Sequence, residues 1–305
     1  MAELSKDKFV IQGKSNDDAE AIVRPSLTYW QDAWRRLKSN KMAMVAMVIL
    51  AIITLMAIFA PIFSSFDYRT GDLMKTNVPP NSTNWFGTDE LGRDLFVRVW
   101  SGTRISLFIG FVTAILNFSI GVLYGGISGY IGGNVDNIMM RITEILFSIP
   151  YLLWVIMLMV VLGQGLLTII IALTIAGWGG MARLVRGQVL QLKEMEFVMA
   201  AKTLGADAGR IITKHLIPNT IGVIIVSITF AIPQAIFAEA FLSFIGLGIP
   251  VPEASLGTLS KDGTRMLLIH PYQLLFPSLV ISAIMLAFQI FGDGLRDALD
   301  PRLRQ

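Results

Sequence analysis

Long uncharged apolar runs alternate along this chain with shorter stretches that carry nearly all of its charge, and the runs have the length a bilayer demands. A spanning helix needs about 20 mostly apolar residues, because the hydrocarbon core is roughly 30 Å thick and each residue rises about 1.5 Å. Met42 to Phe63 meets that requirement without a charge. Ile105 to Tyr124 is a second run, whose Thr113, Asn117 and Ser119 are small polar residues able to bond back to their own helix or to a neighbour. Between Glu144 and Arg183 lie 38 uncharged residues, too many for one crossing. Gly163-Gln164-Gly165 supplies a reversal in the middle, which predicts a tight hairpin of spans three and four. Ile221 to Ala238 and Leu274 to Phe291 provide the fifth and sixth. No alternating ten-residue segments suggest a barrel, and helices are the other way a chain satisfies its backbone in lipid. The pattern predicts an all-α membrane protein with six transmembrane helices.

Composition agrees with lipid as the solvent: the chain is 54% hydrophobic and 15% charged, with a mean hydropathy of +0.63. The net charge of +3 is small, and the basic residues lack aromatic interleaving, so nothing recommends a nucleic-acid partner. They should instead report orientation. Lys and Arg number eight in residues 1–41, one in 125–144, six in 179–217 and three in 292–305, against five in 64–104 and two in 243–273. The positive-inside rule then predicts cytoplasmic termini, with loops 64–104 and 243–273 facing outward. With no cysteine there is no disulfide, thiolate nucleophile or iron–sulfur site. The polar first 41 residues argue against a leader at the start, which makes the first apolar run an uncleaved anchor.

The organisation expected is a cytoplasmic tail and interfacial helix over 1–41, an anchor over 42–63, an outer loop over 64–104, a five-helix core over 105–291 with a cytoplasmic loop at 183–218, and a tail over 292–305. Residues 1–24 read as a polar tail. Their Gly13-Lys14-Ser15 lacks the glycine five residues earlier that a phosphate loop needs. From Ser26 the spacing of Leu27, Trp30, Trp34 and Leu37 predicts an amphipathic helix in the headgroup plane, serving as an anchor or as a docking elbow. In the outer loop, Thr88 or Asp89 is the expected cap of a short helix. Arg141 and Glu144 should pair, and Pro150 and Pro233 should kink spans three and five. Glu239, at the outer end of span five between Phe237 and Phe241, needs a compensating partner. It either makes a helix-to-helix hydrogen bond or lines a passage.

The stretch from Ala182 to Asn219 is long for a connection between spans. Phe197, Ala200, Ala201 and Leu204 fall on one helical face, Gly205 stands where a left-handed cap belongs, and Asp207 can cap a second short helix running to Pro218. The result is a surface helix-turn-helix whose alanines allow close backbone approach.

Met199-Ala200-Ala201, three residues, Gly205, nine residues and His215-Leu216-Ile217-Pro218 resemble the EAA loop of ABC importer permeases, whose pattern is Glu-Ala-Ala, three residues, Gly, nine residues, Ile, one residue, Leu-Pro. The spacing is kept throughout, with departures at Met199, His215 and Ile217. The stretches Phe86 to Asp94, Ala182 to Val189, His215 to Asn219, Glu239 to Phe244 and Gly292 to Asp297 are similar to the C-type subunits of oligopeptide and dipeptide permeases. This resemblance implies a type I ABC importer fold. It implies a homologous B-type permease partner, two ABC ATPase subunits using ATP and Mg²⁺, and an extracytoplasmic peptide-binding protein, with no cofactor bound by this chain and no catalytic residue. Met199, Ala200, Ala201, Leu204, Gly205, His215 and Pro218 are then the ATPase-coupling candidates, with Glu239 and Pro233 as candidates for the translocation path. Nickel and glutathione permeases share these motifs. A membrane enzyme would need a Ser-His, paired Asp or zinc constellation, which the spans lack, and His215 and His270 are expected on opposite faces of the membrane, so they make no metal pair. An ion-coupled secondary transporter would show inverted repeats and buried ionisable groups.

Overall fold

The computed structural model describes residues 28–300, and the expectations for residues 1–27 lie outside them. Residues 28–300 form helices with no strand among them, only an isolated bridge between Thr88 and Asp94. The helices are α1 (Tyr29–Ser39), α2 (Lys41–Phe63), α3 (Leu95–Ile131), α4 (Gly133–Ser148), α5 (Tyr151–Leu162), α6 (Leu166–Leu192), α7 (Glu196–Thr203), α8 (Ala208–Arg210), α9 (Ile217–Phe244), α10 (Leu256–Arg265) and α11 (Tyr272–Leu299). Five helical stretches are long and apolar enough to cross a membrane, and the bent pair α4 and α5 is the sixth candidate.

The centre of the bundle is α3, which packs along α6 and α9. Gly121, Gly125 and Gly129 form a stripe at four-residue spacing on its α6 face. A Cβ on Gly125 would lie 2.2 Å from the Ala182 carbonyl oxygen. In lipid, where helices gain little from hiding apolar surface from one another, such close backbone approach supplies the packing. The helices α2 and α11 bury 22% of their most apolar stretch, against 44% for α3 and α6. They pack on each other at the periphery and leave much of their remaining apolar surface exposed.

The expected hairpin turn is present, with Gly163 and Gly165 at positive φ, but its first arm differs from a simple span. The break at Ile149-Pro150 separates α4 from α5, and the two meet at 83°. Proline cannot donate to the helix ladder, and the residue before it is pushed to extended φ/ψ, as Ile149 is. With 12 residues, α5 is about 18 Å long and cannot cross alone. The expected loop over 125–144 is also helical: α3 runs on to Ile131, and only Gly132 joins it to α4.

Two ends of the bundle follow from this order. Tyr29 Oη donates to the Leu299 carbonyl oxygen (3.2 Å) and approaches Gly222, so α1, the end of α11 and the start of α9 lie together with α7. At the opposite end lie the loop 64–94, the α5–α6 turn and α10, tied by Gln164 Nε2 donating to the Gly246 carbonyl oxygen. In α1, Ala33 and Leu37 face inward while Trp30 and Trp34 face out, as an interfacial helix requires.

Candidate coupling surface and candidate path

The helix α7 is set between two sharp direction changes. Lys193 ends α6, Met195 is extended, and Glu196 begins α7 with an acid in its first turn and Lys202 in its last, in accord with the helix dipole. Its end is a Schellman turn: the Ala206 N–H bonds to the Ala201 carbonyl and the Gly205 N–H to the Lys202 carbonyl, both at 3.0 Å, with Gly205 at φ +84°. Asp207 then caps α8 through the Arg210 N–H (3.3 Å). The second helix is not separate, because a π-helical stretch, Ile211–Leu216, joins α8 to α9. There the Ile217 N–H bonds five residues back to Ile212. A wider turn at this point leaves room for the Pro218 ring, which would otherwise press on a carbonyl four residues earlier.

The faces of α7 divide differently from the expected grouping. Val198 and Ala201 are buried, Val198 within a core that includes Val185, Val189, Ile211 and Leu216. Phe197, Met199, Ala200 and Leu204 point out, and Leu204 is 88% exposed. Ala201 thus seats the helix, and Leu204 and its exposed neighbours form the surface. Glu194, Glu196, Lys202, Asp207, Arg210 and Lys214 stand exposed around it. The patch is thus an exposed apolar surface rimmed by charge, the pattern of a surface that meets a partner. His215 is half-buried with its carbonyl accepting from Asn219 Nδ2, and Pro218 is exposed at the start of α9.

Behind α7, cations grip the α3–α4 joint. Arg186 of α6 places Nε and Nη2 on the two carboxylate oxygens of buried Asp136 in α4, and Ser128 of α3 donates to the same carboxylate. Such a two-pronged, charge-assisted contact fixes orientation as well as distance. Lys193 Nζ donates to the Gly129 carbonyl oxygen (3.2 Å), and Lys202 of α7 lies over the Tyr130 ring (5.5 Å). Sequence reasoning missed Asp136. Its signal was an acid placed just after Gly132-Gly133, a helix break that would aim it back at the preceding helix.

At the far end, Glu239 of α9 is fully buried. Ser106 of α3 donates to its Oε2 (2.8 Å) and Ser243 to its Oε1 (2.7 Å), while the Ser243 hydroxyl lies 3.3 Å from that of Ser255, the cap of α10. This cluster joins three helices, as the helix-to-helix reading of Glu239 requires. Pro233 is buried inside α9, beside Ile232, whose carbonyl oxygen lies close to Gly110 of α3. Outside the spans, the loop closes on its own charges: Asp89 bonds to Arg93 Nε (2.7 Å) and lies 3.3 Å from Arg98 Nε. The helix cap is Asp94, which accepts from the Val97 N–H, rather than Thr88 or Asp89. Thr88 instead ties the loop together through Lys75 and Val78. Arg141 and Glu144 pair as expected, exposed, at 2.8 Å.

Residues 121–305 match the family described as binding-protein-dependent transport system inner membrane component, and residues 28–80 match the N-terminal transmembrane domain of oligopeptide transport permease C. The chain belongs to this permease family. It is 54% identical to the oligopeptide transport system permease protein OppC of Bacillus subtilis (strain 168), over the whole of both chains. It is 55% identical to the dipeptide transport system permease protein DppC of the same organism, over 97% of this chain and 93% of that one. The OppC of Escherichia coli (strain K12) is 44% identical over 94% and 95% of the two chains. Among solved structures, an inward-facing form of the MetNI methionine ABC transporter superposes with a TM-score of 0.52 at 20% identity, covering 68% of this chain and 96% of that one. That likeness concerns the fold. As a family permease, the chain is a membrane component of ABC importers and not itself an ATPase.

Within the permease, the residues matching the EAA pattern come together at one end of the bundle: Met199, Ala200, Ala201, Leu204 and Gly205 on α7 and its turn, His215 and Pro218 on the π-helical stretch and the start of α9. Glu239 lies toward the opposite end, beside the cap of α10.

Proposed function

We propose that this permease is one of two channel-forming subunits of an ATP-driven importer that moves oligopeptides or dipeptides into the bacterial cytoplasm, with α7 as the surface on which an ABC ATPase subunit docks. The reading is carried by one observation: an apolar helix face, backed by a packed seat and ended by a Schellman turn, stands exposed among charges. The peptide class is supported by the names of the relatives, oligopeptide and dipeptide permeases at up to 55% identity. Those names favour peptides over nickel or glutathione.

In this reading both termini and α7 face the cytoplasm, following the excess of Lys and Arg at that end. A homologous B-type permease completes the channel, and an extracytoplasmic peptide-binding protein delivers substrate to the opposite end. Two ATPase subunits bind ATP and Mg²⁺ and close on nucleotide, and α7 passes that motion to the spans. No cofactor is bound by this chain.

Co-expression with the partner subunits tests the docking surface. Leu204→Asp is expected to insert normally yet lose the ATPase on purification, together with ATP-dependent peptide uptake. Retained association in Leu204→Asp would move the docking site elsewhere. Ala201→Glu should also lose the ATPase, but through an unseated α7, since Ala201 is 8% exposed. Peptide uptake by this chain without an ATPase would overturn the importer reading.

A further inference from the structure

A cavity of about 480 Å³ opens among α3, α6 and α9 beside the α4–α5 bend. Its size falls in the range of small-molecule sites, about 300–1,000 Å³. The polar side chains on its wall are Asn117, Tyr151, Ser227 and Gln234, set among Phe147, Phe230 and small residues. No acidic or basic residue lines it, while Arg183 and Arg186 line a separate opening with Arg141 and Glu144.

The four polar side chains share a second property: none makes a hydrogen bond to any described residue of the chain. Asn117 Oδ1 is buried without a partner. Its carboxamide lodges against α6, where a Cβ on Gly177 would lie 2.6 Å from Nδ2. Ser227 does not bond back to its helix, although Thr220 and Thr229 on the same helix do. Buried polar groups are ordinarily paired, and the buried Glu239 is paired with serines of its own chain. Of the four, Asn117 Oδ1 is the buried group, while Gln234 and Tyr151 are exposed toward the opening and Ser227 is half-buried. One orphaned buried acceptor and three free polar groups converging on one opening point to an external partner. Two carboxamides and two hydroxyls offer both donors and acceptors and no charge. They match what every peptide shares, the main-chain N–H and C=O, and not what distinguishes one peptide from another.

We propose that this cavity is the permease's share of the peptide passage and that Asn117, Ser227 and Gln234 hold the peptide main chain within it, with Tyr151 at its edge. The proposal rests on the peptide-import reading and deepens it. It places the passage at Gln234 and Asn117, whereas Glu239 and Pro233 are not on the wall of this cavity and serve helix packing.

The chain has no cysteine, so a single introduced thiol is unique within it. Ser227→Cys and Gln234→Cys, each in the complete complex in nanodiscs, are exposed to a cationic water-soluble thiol reagent with and without peptide, binding protein and ATP. Labelling at both positions is expected, slowed by peptide, while Leu279→Cys, exposed on α11 away from the cavity, shows no peptide effect. The double variant Asn117→Leu with Gln234→Leu should lower uptake about tenfold, the loss expected for one to two net hydrogen bonds, and by a similar factor for peptides of different side chains. Cysteines that never label, because the partner permease fills the cavity, or that label without regard to peptide, overturn the proposal, as does a loss that depends on side-chain identity. If the unsubstituted complex imports peptide and the cysteines do not sense it, this inference alone falls. If that complex imports no peptide, the importer reading falls with it.

Discussion

At the α10 end of the bundle, polar groups answer one another within the chain: Asp89 with Arg93 and Arg98, Asn84 with Asp94 (2.8 Å), Glu239 with Ser106 and Ser243. At the α7 end, Phe197 and Met199 stand uncovered on a helix of eight residues, with Leu204 uncovered at its cap. Two glycines at left-handed φ make the contrast local. Gly92 (φ +70°) is enclosed, and a Cβ there would lie 1.9 Å from the Asp72 carbonyl oxygen. Gly205 (φ +84°) has nothing within 4 Å of the same position. At these two glycines the loop before α3 is closed on its own backbone, while the turn after α7 is open.

The largest effect expected from breaking this comparison is at the enclosed glycine. Gly92→Val combines a backbone clash with left-handed strain and should cost about 3 kcal/mol or more, enough to lose folded protein from the membrane fraction. Gly205→Val has the strain alone and should cost about 1–2 kcal/mol. Equal losses in thermal unfolding for the two variants would remove the contrast.

Next comes the buried carboxylate. Glu239→Ala leaves the Ser106 and Ser243 hydroxyls short of an acceptor and opens a void, for an expected loss of about 2–3 kcal/mol. Glu239→Gln keeps one acceptor oxygen and puts an NH2 donor at the other position, which a serine can meet by turning its hydroxyl to accept, on a side chain of the same shape; it should lose less than Glu239→Ala. Unfolding midpoints of the purified protein would show whether hydrogen bonding or charge matters at this position. The smallest effect is assigned to Asp136→Asn. The Arg186 partner is about one-third exposed at its side chain, so water screens the pair and the loss should be about 1 kcal/mol. Increased proteolysis at the α3–α4 joint, with α7 unchanged, is the expected signature.

Much of the fold was legible because lipid enforces it. Met42 to Phe63 and Leu274 to Phe291 could be delimited from hydropathy, and they fall within α2 and α11. Gly205 could be assigned its left-handed cap because a Schellman turn is a local matter of four or five residues. The bend at Ile149-Pro150 was hidden inside 38 uncharged residues, where a broken span and a straight one have the same hydropathy. Asp94, rather than Thr88, became the helix cap because Thr88 was engaged by Lys75 and Val78, residues 10 to 13 positions away. The coupling candidates were assembled by spacing alone, but which of them seat α7 and which face outward depended on the core beneath.

By itself the sequence determined the solvent, the approximate spans, and the α7 turn, because bilayer thickness, helix rise and capping act over short stretches of chain. Only the tertiary structure decided that Glu239 is answered by a serine 133 positions away, that Asp136 meets Arg186, and that Asn117, Ser227 and Gln234 share one uncharged cavity. Those outcomes depend on which helix faces meet, and the glycine stripe of α3 that brings α6 close sets this through packing that no local pattern contains.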